Sequence, residues 1–195
     1  MSTSSTRPSR RKHGGTAVKI VVTGPFSAGK TTLIRTISEI TVLSTEKDIT
    51  DHTASRKAET TVAMDFGRIT IDRDLVLYLF GTPGQDRFDF MWEILGEGMI
   101  GYLLLVDAAR EESVLEAASI LGAFRTMARV PYVVALNRAA PDDNALIDDV
   151  RTRLEIPSDV AILPCDATDK ESVKNVLLAL LYAVLDEVEA EAVRV

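Results

Sequence analysis

Apolar and polar positions along the chain form alternating blocks that predict strands and helices in turn. Runs of β-branched and other apolar residues, typical of buried strands, occupy residues 18–22, 100–106, 130–136 and 160–163. Two further apolar runs, 62–71 and 75–80, flank the turn residues 72–74 and predict a β-hairpin. The pattern therefore predicts six strands.

Apolar residues at helical spacing follow most of these strands. Helices are predicted after residue 29, from Ser113 to about residue 128, and over 145–154. Ser113 and Glu116 have the spacing of a capping box. A last helix is predicted from Glu171, and we expect its apolar stripe to pack on the sheet. The stripe consists of Val173, Val176, Leu177, Leu180, Leu181, Val184, Leu185 and Val188.

This order of elements predicts a doubly wound α/β fold with three layers. The sheet is expected to have six strands, mostly parallel, with one antiparallel strand from the hairpin. Residues 17–195 would form this single domain. Residues 1–16 are rich in Ser, Thr, Arg and Gly and predict a disordered basic tail. The polar stretch 40–60 lacks a clear period and predicts a mobile loop.

Composition narrows the class of protein. The 195 residues are 46% hydrophobic and 26% charged, which is typical of one globular domain with a full core. The net charge of −7 argues against a nucleic-acid partner, because phosphate contacts need a basic face. The single cysteine, Cys165, excludes an intramolecular disulfide and fits a reducing, cytoplasmic location; we interpret it as a packed side chain. The basic tail is expected to be solvated, with weak peripheral attraction to an anionic membrane or an acidic partner as the alternative.

Residues 24–31 read GPFSAGKT and fit the phosphate-loop pattern G-x-x-x-x-G-K-[ST]. The motif stands between a predicted strand and a predicted helix, which is the context a true phosphate loop requires. Gly24 and Gly29 would let backbone N–H groups curl towards one anion, Lys30 would contribute a positive charge, and Thr31 a hydroxyl for Mg²⁺. The remaining candidate phosphate-binding residues are Phe26, Ser27, Ala28 and Thr32.

Four later stretches stand at strand ends or beside the predicted loop. They are TTVAMDFG at 60–67, GTPGQ at 81–85, ALNR at 135–138 and CDA at 165–167. In order and spacing, together with the phosphate loop, they resemble the small GTPases of the Ras type. The chain is most similar to the bacterial MglA-like branch, in particular the GTP-binding proteins of actinobacterial conservon operons, over about residues 17–190.

This resemblance implies roles for individual residues. Thr61 would close on Mg²⁺ and the γ-phosphate, Gly84 would donate its N–H to that phosphate, and Gln85 would orient the attacking water beside Lys30. The base would be held by Asn137, Arg138, Asp166 and Ala167. The alternatives are that Thr61 only starts a strand, Gln85 is solvated, Asn137 caps a strand end, and Ala167 only packs.

Three residues depart from the GTPase pattern. Gly81 stands where an aspartate supports Mg²⁺, which predicts lower metal affinity. Phe26 would crowd the space for Gln85, which predicts slow hydrolysis. Ala140 stands where a carboxylate accepts from guanine, so guanine preference should be weakened unless a nearby carboxylate substitutes. The candidates for that substitution are Asp142, Asp143 and Asp166.

The resemblance implies a Mg²⁺-dependent switch that binds GTP and GDP, hydrolyses GTP slowly and acts in bacterial signalling. It also implies a roadblock-type regulator and sensor-kinase partners from a shared operon, with the chain a monomer or weak dimer. Two other functions stay open at this point. One is a docking module that does not hydrolyse nucleotide, and the other is a small ATP-using kinase with the same phosphate loop.

Overall fold

A computed structural model describes residues 16–44, 64–84 and 90–194. The strands in this part of the chain are β1 (Thr16–Thr23), β2 (Leu43–Ser44), β3 (Asp65–Asp72), β4 (Leu75–Gly81), β5 (Met99–Asp107), β6 (Tyr132–Asn137) and β7 (Ile162–Cys165). The helices are α1 (Lys30–Ile37), α2 (Phe90–Gly96), α3 (Glu111–Met127), α4 (Asn144–Arg153) and α5 (Lys170–Arg194).

The strands form one sheet in the order β2-β3-β4-β1-β5-β6-β7. β1 pairs in parallel with β4 and β5, and β6 pairs in parallel with β5 and β7. β3 runs antiparallel to β4, as the predicted hairpin requires. The predicted fold class is confirmed, with six longer strands and one antiparallel strand. The two-residue β2 pairs with β3 at the edge of the sheet, inside the stretch expected to be a loop.

Helices cover both faces of the sheet, as the three-layer prediction expected. Alternate residues of β1 face opposite sides, so Ile20 and Val22 pack with α1 and α5, whereas Val21 packs with α3. All three side chains are fully buried. This central position of β1 holds the segment that follows it, the phosphate loop, at the carboxyl edge of the parallel strands, where ligands bind in such sheets.

The predicted capping box at Ser113 is wrong. α3 begins two residues earlier, at Glu111, and its N-cap residue Arg110 makes no side-chain cap. Ser113 is fully buried, and its Oγ accepts a hydrogen bond of 2.9 Å from the backbone N–H of Asp107. The hydroxyl therefore serves the end of β5 and not the N-terminus of the helix.

The predicted stripe of α5 is only partly correct. Val173, Val176 and Leu180 are buried against the sheet, but Leu185 and Val188 are 55% and 57% exposed. α5 has 25 residues, and all its described side chains from residue 185 onward are exposed. The helix therefore continues past its packing surface.

Some predictions fall outside the described residues. They include the tail, apart from Thr16, which belongs to β1, and the expected loop from residue 45 onward. Among the described helices, none combines the length and apolarity needed to cross a bilayer.

Candidate functional site

The phosphate loop has the backbone that its two glycines predicted. Gly24 and Gly29 have φ values of 142° and 105°, in the region that L-residues rarely adopt. A Cβ on Gly24 would lie 2.0 Å from the carbonyl oxygen of Leu105, and one on Gly29 would lie 2.6 Å from Nδ2 of Asn137. Both positions therefore require glycine, for conformation and for space.

Lys30 is the first residue of α1, directly after the loop, and is buried. Its Nζ donates hydrogen bonds of 2.7 Å to the carbonyl oxygen of Gly24 and 2.6 Å to that of Pro25. The ammonium group is therefore folded back over the concave side of the loop. It lies beside the N-terminus of α1, where the first backbone N–H groups of a helix lack intrahelical partners and attract anions.

Thr31 and Asp65 form a second part of the site. The Thr31 hydroxyl donates a 2.5 Å hydrogen bond to Oδ2 of Asp65, which is buried on β3. Within the described part of the chain, the other carboxylate oxygen, Oδ1, has no hydrogen-bond partner. A hydroxyl beside a buried, under-satisfied carboxylate is the kind of oxygen donor set that Mg²⁺ prefers.

Asp65 fills the space left by Gly81, where sequence analysis noted a missing aspartate. The two residues are direct partners in the β3–β4 pairing. A Cβ on Gly81 would lie 3.0 Å from Cβ and 3.3 Å from Oδ2 of Asp65. A carboxylate from the neighbouring strand thus lies beside the position of the missing aspartate, and the predicted lower metal affinity stays a prediction. The signal was present in the sequence, because counting back from the hairpin turn places Asp65 opposite Gly81.

The segment after β4 lies against the phosphate loop. A Cβ on Gly84 would come within 2.5 Å of the Phe26 backbone nitrogen and 2.7 Å of Lys30 Nζ. Just before it, the carbonyl oxygen of Pro83 accepts a 3.3 Å hydrogen bond from Nε1 of Trp92 on α2. The structure thus brings Gly84 to the phosphate loop, as expected, and only a glycine fits there.

These groups enclose an open cleft of about 330 Å³. Its lining residues are Phe26, Ser27, Gly29, Lys30, Thr31, Thr32, Asp65, Thr82, Pro83, Gly84 and Arg138. In the described ranges, no three His, Cys, Asp or Glu side chains cluster as a metal site. A phosphate-loop Mg²⁺ needs no such cluster, since it keeps several waters and takes phosphate oxygens as ligands.

Two predicted catalytic residues, Thr61 and Gln85, lie outside the described residues, so their roles stay predictions. The effect of Phe26 on Gln85 stays a prediction for the same reason. The Phe26 side chain is 53% exposed at the cleft. Its carbonyl oxygen accepts a 3.2 Å hydrogen bond from Nη1 of Arg110, a contact that sequence analysis missed because it joins residues 84 positions apart.

Asn137 joins two loops at the carboxyl edge of the sheet. Its Nδ2 donates a 2.9 Å hydrogen bond to the carbonyl oxygen of Ala28, and its Oδ1 accepts one of 3.1 Å from the backbone N–H of Ala167. The side chain is buried. It therefore braces the phosphate loop against the β7–α5 loop, and each end of its amide is already engaged within the protein.

Arg138 follows in the left-handed conformation, with φ 66°. Its Nη1 lies 2.5 Å from Oδ2 of Asp107, whose side chain is fully buried, while the arginine side chain is 58% exposed. Asp107 was not singled out from the sequence, although an acid directly after an apolar strand is a usable signal. The pair holds a planar cation at one end of the cleft.

Two of the carboxylates considered as replacements at the base position are engaged elsewhere. Asp143 caps α4 by accepting a 3.0 Å hydrogen bond from the backbone N–H of Leu146. Asp166 accepts hydrogen bonds from the backbone and hydroxyl of Thr168, and these bonds lower its pKa. In both groups Oδ1 is the oxygen that accepts these bonds, and their role at the base stays a prediction.

Comparison with known proteins identifies the family. Residues 22–187 match a family described as "Conserved hypothetical ATP binding protein". The chain is also 32% identical, over 126 residues, to an uncharacterized protein of Methanocaldococcus jannaschii. The alignment covers 65% of this chain and 73% of that protein.

These matches overturn the resemblance to Ras-type, MglA-like and conservon-encoded GTPases, because the matching family is a distinct phosphate-loop ATP-binding family. The resemblance rested on the phosphate loop and on four short stretches after it, and the phosphate loop is shared by nucleotide-binding proteins of several kinds. The base-recognition residues did not fit the GTPase pattern, because Ala140 stands where that pattern has a carboxylate. The regulator and kinase partners that the resemblance implied lose that support. The chain belongs to the family of conserved hypothetical ATP-binding proteins.

Proposed function

We propose that this protein binds ATP together with Mg²⁺ and hydrolyses it slowly. The observation that carries the proposal is the Thr31–Asp65 pair beside an intact phosphate loop. Membership of an ATP-binding family supports the choice of nucleotide. The glycines, Lys30 and the N-terminus of α1 would hold the triphosphate.

Thr31 and Asp65 would hold Mg²⁺, directly or through water. When bound, the metal neutralises charge on the β- and γ-phosphate oxygens. The partner-poor Oδ1 of Asp65 supports this assignment, because a buried carboxylate oxygen without a partner is costly unless a cation or water satisfies it. The position of Asp65 weighs against a docking module that does not hydrolyse nucleotide, because the absent side chain at Gly81 was one of the two reasons for that alternative, with Ala140 as the other.

The base end of the cleft lacks a guanine-specific contact at the expected position. A carboxylate there would accept from two N–H groups of guanine, but the residue is Ala140. The Asn137 amide uses one N–H and its oxygen to join Ala28 and Ala167. We assign Arg138 to the face of the base, because a guanidinium held by Asp107 presents a flat cation suited to stacking.

Water is the proposed acceptor of the γ-phosphate. Gln85 would orient it and Thr61 would approach the metal, and both assignments continue the expectations from sequence. Release of inorganic phosphate, measured without any added acceptor, distinguishes this from transfer to a second substrate.

Binding is tested by calorimetry with ATP and GTP in the presence of Mg²⁺. ATP should bind at least as tightly as GTP, because the paired contact that would favour guanine is absent. Lys30→Ala should weaken ATP binding about a hundredfold through loss of the buried phosphate contact. Lys174→Ala, which removes the same charge from the exposed surface of α5, should bind as the native protein does. Tighter binding of GTP, or no binding of either nucleotide, would contradict the proposal.

A further inference from the structure

The phosphate loop is contacted from outside the cleft by the side chain of Arg110. Its Nη1 donates a 3.2 Å hydrogen bond to the carbonyl oxygen of Phe26. Among the residues that the structure describes, Phe26 is the only hydrogen-bond partner of this side chain, and no carboxylate forms an ion pair with it. Arg110 is not one of the residues that line the cleft, so its guanidinium group reaches the loop from the other side.

Phe26 and Ser27 are the central residues of a tight turn in the loop. The turn is closed by a 3.3 Å hydrogen bond from the N–H of Ala28 to the carbonyl oxygen of Pro25. Ser27 has φ 61°, whereas Phe26 does not have a positive φ. A positive φ at only the second central residue defines a type II turn, which usually has glycine there because other residues are strained. In this loop the strained position holds a serine.

A serine at this position favours the type I turn, which differs from type II by a flip of the central peptide. In a planar trans peptide, the C=O of one residue and the N–H of the next point in opposite directions. A flip would therefore exchange the sides to which the Phe26 carbonyl and the Ser27 N–H point. The hydrogen bond from Arg110 holds that carbonyl outside the cleft, so the Ser27 N–H stays on the cleft side.

The backbone that carries Arg110 is itself held by the end of β5. The N–H of Arg110 donates a 3.2 Å hydrogen bond to the carbonyl oxygen of Asp107. Oδ1 of Asp107 accepts a 3.1 Å hydrogen bond from the N–H of Ala109, and its Oδ2 pairs with Arg138. The Asp107 side chain is fully buried. Arg110 therefore starts from a fixed position, and only its side chain must be ordered to reach the loop.

We propose that Arg110 is a positioning residue of the nucleotide site, which holds the peptide between Phe26 and Ser27 so that the Ser27 N–H faces the phosphates. This assignment rests on the proposed function, because the N–H has a ligand only if the cleft binds a nucleotide. Backbone N–H groups of a phosphate loop cradle the α- and β-phosphates. ATP and ADP share these groups, so Arg110 should matter for both, and it acts without touching either nucleotide.

The first test is calorimetry with ATP and with ADP in the presence of Mg²⁺. Arg110→Ala should weaken the binding of both nucleotides by similar factors, about fivefold each, through loss of one partly exposed hydrogen bond from a charged donor. Arg110→Lys keeps a charged donor and should recover part of the loss. Arg129→Ala is the matched control, because Arg129 is exposed at the opposite edge of the sheet, before β6, and it should bind as the native protein does.

The possible results separate this assignment from the proposed function. A native protein that binds neither nucleotide contradicts the proposed function itself. A native protein that binds both, with Arg110→Ala unchanged, contradicts only the role of Arg110. A loss for ATP alone would mean that Arg110 contacts the γ-phosphate directly, and it would overturn the positioning role.

The role in the turn is tested by changing Ser27. Glycine accepts a positive φ without strain, so the turn in Ser27→Gly needs less support from outside. Adding Arg110→Ala to Ser27→Gly should therefore cost at most about twofold in ATP affinity. Adding it to Ser27→Ala, which keeps the strain, should cost about fivefold, as in the native protein. Equal losses in the two backgrounds would show that Arg110 does not hold the turn, and would overturn the proposal.

Discussion

At the scale of single residues, the carboxylate of the candidate metal site comes from a neighbouring strand. Asp65 on β3 occupies the space in front of Gly81 on β4, and its Oδ2 reaches the Thr31 hydroxyl. Adjacent strands in a sheet are separated by only about 4.8 Å, so a carboxylate can be supplied from either of two paired positions. A sequence motif that covers one strand does not show that the carboxylate comes from the neighbouring strand.

Mutation can therefore transfer the carboxylate from position 65 to position 81. Asp65→Gly should raise the Mg²⁺ concentration needed for half-maximal ATP binding by about tenfold, because the metal loses its carboxylate. Adding Gly81→Asp to that variant should restore part of the loss, since removal of the Asp65 side chain frees the space that it fills. A Mg²⁺ titration of ATP binding measures both effects.

The exposed turn variant Asp159→Gly is the control for the loss of one negative charge. If Asp65→Gly and Asp159→Gly give the same Mg²⁺ dependence, Asp65 has no role at the metal.

Cys165 gives a prediction for pH. Burial is the main cause that raises the pKa of its thiol to about 11. Because the folded state disfavours the thiolate, its contribution to stability is complete below about pH 8.5, the pKa of an unfolded thiol. It is lost as the pH rises towards 11. Urea unfolding of the native protein should therefore show a larger loss of stability between pH 8 and 10.5 than Cys165→Ala does, and equal slopes would refute the assignment.

At the scale of elements, periodicity located α1, α3, α4 and α5 but not the short α2, and it did not fix where the helices begin and end. α3 starts before Ser113 because that hydroxyl is held by the N–H of Asp107, a contact between a helix and the end of β5. α5 extends past the sheet, so its last apolar residues find no packing surface in the described domain. In both cases the outcome depends on whether a neighbouring element is in contact, which a local pattern cannot contain.

Two glycines in these elements should respond in opposite ways to alanine. Gly122 lies exposed inside α3 with open space around a new Cβ, so Gly122→Ala should stabilise the protein by about 0.5–1 kcal/mol. Gly101 lies in β5, where a Cβ would be 2.9 Å from the Pro131 carbonyl oxygen and 3.0 Å from Leu180, so Gly101→Ala should destabilise by about 2 kcal/mol. Urea unfolding compares the two. Equal changes in the free energy of unfolding would mean that the residues around Gly101 shift to accommodate the new Cβ.

At the scale of the whole molecule, the candidate nucleotide site and the exposed end of α5 are separate. The site lies at the carboxyl edge of the sheet, formed by the loops after β1, β4 and β6. The exposed end begins at Leu185, in the part of that helix farthest in sequence from the β7–α5 loop.

A variant at the exposed end should therefore leave the site intact. Leu185→Glu should bind ATP within about twofold of the native affinity, because distant sites without shared contacts behave independently. Calorimetry with ATP and Mg²⁺ checks this. A large change in ATP affinity in Leu185→Glu would show that the end of α5 is coupled to the site.

The sequence by itself determined the strand and helix order, the central hairpin and the phosphate loop. These features depend on residues that lie close together in the chain. They follow from the periodicity of apolar positions, from turn residues and from two glycines in conformations that only glycine accepts. It also identified Gly81 and Ala140 as departures from a GTPase pattern.

Only the tertiary structure decided what lies around those positions. It placed Asp65 against Gly81, joined Asn137 to two loops, paired Arg138 with Asp107 and left one side of α5 uncovered. Each of these facts depends on distances between residues far apart in sequence, which are fixed when the sheet assembles. Local patterns predicted the elements, and packing between the elements determined the chemistry of the cleft.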